Sequence, residues 1–461
     1  MSPASANRQP DLLSRSKHPT IPIAEDHKLV QLTDTVDWTE MEDQAQQIRA
    51  SKLKNAAGRP PHLRASLGAM LLMATRRLTY REAEDLIRYY APARYLCGLT
   101  ETQWTPDFTT IQDFTELMGE EGIKLINQHV VRLAVKHKLA DPTTLVADTT
   151  AQEASIPYPN EMGLMSGFLT SVASAARKVG RGLKGFVQQT ESQFKAARQK
   201  AREYRLFAKT KDSKDRVMKQ MAAIVEKLND HLGKALGEAA AQRETLHKYR
   251  IVAKTKLVQL QATMSKLLPQ IRYWIRTGYV ASGKIINLHI PQLYSIVRGK
   301  VGKPVEFGLS WGITRLAGGY LLATLAQDRR ELVDTKFAVR AVKDHIALFG
   351  QAPRAYAYDR GGYSAQNVSA LKKLGVKDVG LAPRGRTQWS VSGVARQRLV
   401  AERALVEAGI GTIKSSRYGF NRPSARCAYM MGACGQRAVL GFNSNKLVRE
   451  LAGRKGIGLS G

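Results

Sequence analysis

Three acidic residues stand where their types and spacing could do chemistry together. Asp148 closes the apolar run Leu145-Val146-Ala147, and Asp359 closes Ala355-Tyr356-Ala357-Tyr358. Glu407 sits in a helix-like run, with Arg403 four residues before it and Lys414 seven after it. Carboxylates are the hard donors that Mg²⁺ takes, and phosphodiester cleavage by two such ions needs donors converging on positions about 3.5–4 Å apart. At 100 degrees per residue, Arg403, Glu407 and Lys414 fall within about 60 degrees of one another, so one helix face would carry a metal-binding carboxylate and two phosphate-binding cations. Glu402, the nearest rival, would lie about 140 degrees from Glu407. Gly409 and Gly411 each cost a helix interior about 1 kcal/mol and would let this helix break before Lys414. Taken singly, each acid has a plain reading: an Asp after a strand is often a turn residue or cap, and an i,i+4 Arg–Glu pair is often a solvated surface pair. The set as a whole carries the chemical reading.

The charge of the chain agrees with a phosphate-bearing partner. With 461 residues, a net charge of +32 and a pI near 10.1, the chain is long enough for two or three domains and far too basic for an ordinary soluble enzyme. Nucleic acid is the first candidate, because Lys and Arg that neutralise phosphates release counterions. No apolar run approaches the roughly 18–20 residues of a spanning helix, and the first residues lack the apolar stretch of a signal peptide, so a cytosolic protein is expected. The three cysteines, Cys97, Cys427 and Cys434, form no Cys-x-x-Cys pair. A structural zinc site or disulfide framework is therefore not expected, and Cys427 and Cys434 read as small side chains buried on a helix.

The elements that must position the acids follow from periodicity. Residues 1–36 read as a flexible basic arm. Residues 37–140 are helical in pattern, with turn signals at Gly58-Arg59-Pro60-Pro61, Ala91-Pro92 and Thr105-Pro106-Asp107, and a capping box at Thr79-Tyr80-Arg81-Glu82. A helix-turn-helix-like DNA reader and a structural cap fit this region equally. Leu145–Ala147 reads as a short buried strand with Asp148 at its end. Residues 172–276 are rich in helix formers and carry 24 Lys plus Arg against 8 Asp plus Glu. At least two long helices are expected there, forming a basic hairpin along phosphates or a solvated or dimerising helix pair. From Lys284 the pattern alternates: strands at 285–288, 305–311, 320–325, 355–358 and 378–381, with helices at about 334–349 and 364–374. This resumes the sheet begun at Leu145, so the long helical stretch looks like an insertion into one α/β domain. Arg384-Gly385-Arg386 reads equally as a DNA contact or a solvated loop. Trp311 and Trp389 read as core or loop anchors, with stacking on extruded bases as the alternative.

Arg403-x3-Glu407-x6-Lys414 resembles the Tyr-x2-Arg-x3-Glu-x6-Lys signature of bacterial insertion-sequence DDE transposases with an RNase H-like core. Asp148-Thr-Thr with Tyr158-Pro159-Asn160 and Gly163-Leu164, the run Gly299 to Gly308, and Asp359-Arg360-Gly361-Gly362-Tyr363 are similar to the ISNCY-like branch of that group. Gly58-Arg59-Pro60-Pro61 and Leu78-Thr79-Tyr80-Arg81-Glu82 resemble its helical N-terminal domain, so the resemblance spans about residues 40–450. It implies that Asp148, Asp359 and Glu407 bind two Mg²⁺ or Mn²⁺ ions and that Arg403 and Lys414 contact DNA beside the cleaved phosphate. Val400 stands where the signature has Tyr, which puts the positioning of the DNA end in doubt.

The expected architecture is an α/β RNase H-like catalytic core, residues 141–171 and 277–450, with a long basic helical, coiled-coil-like insertion at 172–276. An all-α N-terminal domain at 37–140 precedes it, and a tail at 451–461 follows. The implied activity is cleavage at the terminal inverted repeats of the chain's own element and strand transfer into target DNA. A water would attack the phosphodiester and the freed 3′ hydroxyl would then attack the target. The implied partners are double-stranded DNA and further copies of the chain, at least a dimer on DNA, in a bacterial nucleoid-associated cytoplasmic setting. Two alternatives remain: an RNase H-like nuclease without strand transfer, and an inactive or domesticated DNA-binding protein.

Overall fold

The computed structural model describes residues 23–53, 62–100, 104–241, 248–300, 303–327, 331–383, 391 and 393–460. Gly58–Pro61, Arg384–Arg386 and Trp389 lie outside these residues. The chain forms a mixed α/β structure, mostly helical, around a small mixed sheet.

Six helices come first: α1 Lys28–Thr35, α2 Trp38–Lys52, α3 Leu63–Arg76, α4 Tyr80–Tyr89, α5 Ala91–Leu96 and α6 Phe108–Lys136. The capping box at Thr79 is formed in full, with Glu82 N on the Thr79 hydroxyl and Thr79 N on the Glu82 carboxylate. Two of the turn signals mark helix starts: Pro92 lies in the first turn of α5, and Asp107 caps α6 by accepting Thr110 N at 2.7 Å. α3 is buried along ten consecutive residues, Ala65 to Ala74, so it is the central helix of this layer rather than a surface helix.

β1, Asp141–Glu153, follows, and then a helical stretch of α7 Glu161–Val179, α8 Lys184–Leu206, α9 Lys211–Ala241 and α10 Lys248–Thr277. These four helices share their own hydrophobic core, in which Phe168, Val225, Leu228, Leu257 and Met264 are buried. The segment is therefore an internally packed bundle, and among the described residues its cations lie on faces the core does not use.

The chain then returns to the sheet through β2 Tyr294–Lys300, β3 Lys303–Ala317, β4 Leu321–Leu325, α11 Asp334–Phe349, β5 Ala355–Tyr358, α12 Ala365–Lys373 and β6 Asp378–Leu381. It ends in α13 Gly393–Lys414 and α14 Ala428–Arg454. The strand order is β2-β3-β1-β5-β6, with β4 also on β3. β3 is antiparallel to β1, β2 and β4, whereas β5 is parallel to β1 and β6 to β5. The two faces are packed differently. Leu145, Ala147, Tyr356 and Tyr358 point into a core shared with α11 and the N-terminal helices. Val146, Ala355 and Ala357 point into a core closed by Leu399 and Val406 of α13 and Met431 and Val439 of α14.

Four sequence expectations need correction. Asp148 is not at a strand end: β1 runs on through Glu153, because Thr149 to Glu153 keep pairing with Gly312 to Gly308 of β3. Residues 285–288 form no strand, since the Asn287 side chain takes the amides of His289 and Ile290 and turns the backbone out of any ladder. Residues 28–35, expected within a flexible arm, form α1 because Leu29, Val30 and Leu32 are buried against the rest of the protein, and β2 arises where no element was expected. Cys427 is the N-cap residue of α14 and Cys434 lies within that helix; both are half-buried rather than core.

α14 ties the N-terminal helices to the sheet. Gly441 lets it cross α3 closely, for a Cβ there would stand 2.0 Å from the Ala74 carbonyl oxygen. Asn443, fully buried, donates to Asn127 Oδ1 of α6 at 2.7 Å and to the Leu321 carbonyl at 2.6 Å, and accepts Leu321 N at 3.0 Å. Asn443→Leu would leave a buried amide and a buried amide oxygen unpaired, at about 1–3 kcal/mol each. A loss of about 3 kcal/mol is expected in a denaturant melt. A loss below about 0.5 kcal/mol would show that the network holds nothing together.

α11 carries a pH-sensitive group. His345 is 2% exposed against Phe349, and burial lowers its pKa to about 4, with the Pro142 backbone offsetting this in part. The folded state binds its proton less readily than the unfolded chain, whose His titrates near 6.5. The neutral ring's contribution is therefore intact above about pH 6.5 and is lost progressively as pH falls toward about 4, by at most about 3 kcal/mol. His345→Leu should flatten that part of the stability–pH curve; a native-like slope in the variant would assign the slope to other groups.

Candidate active site

The parallel pairing of β1 with β5 sets the geometry. Val146 is paired with Ala357, so two residues further on Asp148 and Asp359 stand at matching positions of adjacent chains. The alternation of β1 and β5 puts both on the face covered by α13. Asp148 accepts Thr149 N at 2.7 Å. Asp359 is held by its role as cap of the short 3₁₀ turn Arg360–Gly362, accepting Arg360 N at 2.5 Å.

α13 brings the third acid. The helix runs unbroken through Gly409 and Gly411 to Lys414, because Val406, Ile410 and Ile413 anchor it on the sheet and Gly409 seats closely on Leu321. Tertiary burial outweighs the weak local propensity. Arg403 and Glu407 project on one face: Arg403 Nη2 lies 3.0 Å from Asp359 Oδ1 and 3.5 Å from Glu407 Oε1. One guanidinium nitrogen thus bridges the strand acid and the helix acid. Glu407 is the more exposed, at 62%, against 43% for Asp359. Lys414 is half-buried two turns beyond Glu407, about 10 Å along the axis. Glu402 is ion-paired with Arg315 of β3 and so engaged away from this cluster. Val400 is exposed on α13. Among the described residues, no three His, Cys, Asp or Glu side chains converge as a ready cation site; the position between Asp359 and Glu407 is taken by Arg403.

One residue was missed by sequence reasoning. Asp334, the first residue of α11, accepts the Thr149 hydroxyl at 2.8 Å and the Tyr358 hydroxyl at 3.1 Å on the same oxygen, Oδ1. Thr149 follows Asp148 and Tyr358 precedes Asp359, so a single carboxylate oxygen joins the two strands beside their acids. Its second oxygen lies under the turn after Asp359, where a Cβ on Gly361 would stand 2.5 Å away. Burial and the neighbouring Asp334 raise the Tyr358 phenol well above its ordinary pKa, which keeps it a proton donor here. An acid at the start of a helical run gives no signal beyond favourable helix capping.

Trp311 is fully buried, packs edge-on against Phe420 and donates to Gln152 Oε1 at 3.1 Å. It is a core residue, with no face open to an extruded base.

Residues 19–117 match the family model of a transposase domain, DUF772. The match covers the N-terminal helices and stops before the sheet and its acids; it supports a transposase family for this chain. No curated protein and no solved structure matches. No helix among the described residues is long and apolar enough to cross a membrane.

Proposed function

We propose that the chain is a DDE transposase whose sheet is an RNase H-like catalytic core, with Asp148, Asp359 and Glu407 as its metal ligands. The observation that carries this reading is the register of β1 and β5, which brings Asp148 of β1 and Asp359, the residue just after β5, to the same end of the parallel pair, with Glu407 brought to Asp359 across Arg403. Three antiparallel strands continued by two parallel ones, closed by a helix bearing the last acid, fit that core, and the transposase-domain match supports the class.

The donor set fits hard divalent cations such as Mg²⁺ or Mn²⁺: carboxylate oxygens, partly exposed, on rigid strands and a helix. When bound, two such ions supply Lewis-acid charge at the scissile phosphate. The remaining work belongs to the chain. β1, β5 and α13 fix the acids before DNA arrives. Were cations to take the charge of Asp359 and Glu407, Arg403 would be able to pair with a phosphate oxygen, and Lys414 on the same helix would add a second positive charge. Attack by water at phosphorus breaks the P–O3′ bond and leaves a 5′ phosphate and a 3′ hydroxyl; the 3′ hydroxyl, giving up its proton, then attacks a target phosphodiester and displaces the target's own 3′ oxygen, which leaves as a hydroxyl.

A second reading draws on the same Arg403 bridge, which neutralises two of the acids without any cation: a transposase-derived protein that binds DNA and does not cut it. Cleavage of a labelled duplex carrying the DNA that flanks the gene, with and without Mg²⁺, separates the two. Cutting at a defined end, followed by joining of that 3′ end to plasmid, supports the transposase. Cutting without joining supports an RNase H-like nuclease, and tight binding without cutting supports the DNA-binding derivative.

A further inference from the structure

A cleft of about 790 Å³ lies away from the acids, between α1, the end of α3, α4, the end of α13 and α14. Five cations line it: Lys28, Arg76, Arg417, Lys446 and Arg449. Lys446 is paired with Glu450 at 2.5 Å, whereas among the described residues Lys28, Arg76, Arg417 and Arg449 have no carboxylate partner. Arg77, at the end of α3, donates to the Ser416 carbonyl just past α13, which fixes one wall of the cleft to another. The sequence brings these cations from four separate stretches to one concavity, where a bound anion would offset their mutual repulsion. Tyr418 and Phe442, with ring centroids 5.7 Å apart, and Leu32 and Val448 give the same cleft an apolar lining.

Phosphate charge beside an apolar body is the chemistry of a nucleotide. The volume lies in the range of about 300–1,000 Å³ that encloses ligand-sized groups; it suits about one or two nucleotides of one strand and is too small for a duplex. Thr412 of α13, about 7.5 Å along the helix from Glu407 and about 140 degrees around it, is among the residues that line the cleft, so the cleft borders the same helix on a different face from the acids. We propose that this cleft receives an unpaired segment of a DNA strand, gripped through its phosphates by Arg76, Arg417 and Arg449. The proposal rests on the reading of the chain as a DNA-acting protein, but not on catalysis.

The test is fluorescence anisotropy with the full chain in the absence of divalent metal. A labelled short oligothymidylate is compared with a labelled blunt duplex, for the native protein and for Arg417→Gln/Arg449→Gln. Both arginines are exposed, so the double variant should melt like the native protein. Single-strand affinity should fall by about ten-fold, and its salt slope by about 0.7 for each phosphate no longer neutralised, with duplex affinity unchanged within about two-fold. Unchanged single-strand affinity would overturn the proposal. So would an equal loss on both DNAs, which would mark a diffuse basic surface. If the native protein never cuts DNA yet its single-strand binding depends on Arg417 and Arg449, the transposase reading falls and the cleft stands.

Discussion

Asp359→Asn is expected to lower Mg²⁺-dependent cleavage of the element's end by about 10³-fold or more, while duplex binding stays within about two-fold. The substitution preserves shape and leaves the Arg360 amide an acceptor, so the turn over Gly361 keeps its form. It removes the charge that would hold a cation and the partner at 3.0 Å that holds Arg403. Asp148→Asn and Glu407→Gln should behave alike, although by different routes. Asp148 sits within a long, paired strand, whereas Glu407 is largely exposed and tethered through Arg403. Residues acting as one unit are not additive, so the triple variant should be no slower than the slowest single one. Single-turnover cleavage on a labelled duplex reads all four proteins. Cleavage retained within about ten-fold in any single variant would remove that acid from the site.

Much of this arrangement was legible in the sequence where periodicity and burial agree. The short apolar runs ending at Tyr358 and Leu381 are parallel strands, β5 buried throughout and β6 buried from Val379 on, and those are the runs that read clearly. α11 begins and ends where its pattern does, between Asp334 and Gly350, whose positive φ closes the helix. What escaped is non-local. β2 reads as an ordinary loop until β3 pairs with it, and β1 outruns its apolar stretch because β3 supplies partners to Thr149 through Glu153. At 285–288 Ile286 and Leu288 are buried and Ile285 partly so, all without a ladder, so hydrophobic patterning marks burial there and not backbone geometry.

The site shows the same division. The face shared by Arg403 and Glu407 follows from helical spacing alone, and the structure puts both beside Asp359. That Asp148 and Asp359 stand at matching positions could not be read locally, since it depends on the register of two strands more than two hundred residues apart. Continuity of α13 past two glycines was likewise decided by what the helix packs on. Asp334 carried no signal, because its partners Thr149 and Tyr358 come from strands that only the fold brings together.

Asp334→Ala, which removes the accepting oxygen altogether, is expected to slow cleavage by about 10–100-fold and to raise the Mg²⁺ concentration needed for half-maximal rate, although Asp334 lies on the other face of the sheet from α13. The cause is geometric. Its Oδ1 accepts two hydroxyls, one from the residue after Asp148 and one from the residue before Asp359. Loosening either hydrogen bond lets β1 and β5 shift relative to each other where their acids must match, and metal ligation and in-line attack are sensitive to displacements of about 1 Å. A positioning role predicts a signature that a merely structural one does not: the divalent-ion requirement rises more than the loss of stability explains. Thr149→Val and Tyr358→Phe each remove one of the two hydroxyls and should each reproduce part of the effect. Combined with Asp334→Ala they should add little, because all three changes cut the same link. A thermal melt alongside a Mg²⁺ titration of the cleavage rate makes the distinction. A lowered melting temperature with an unchanged Mg²⁺ midpoint would reduce Asp334 to a helix-capping and packing residue.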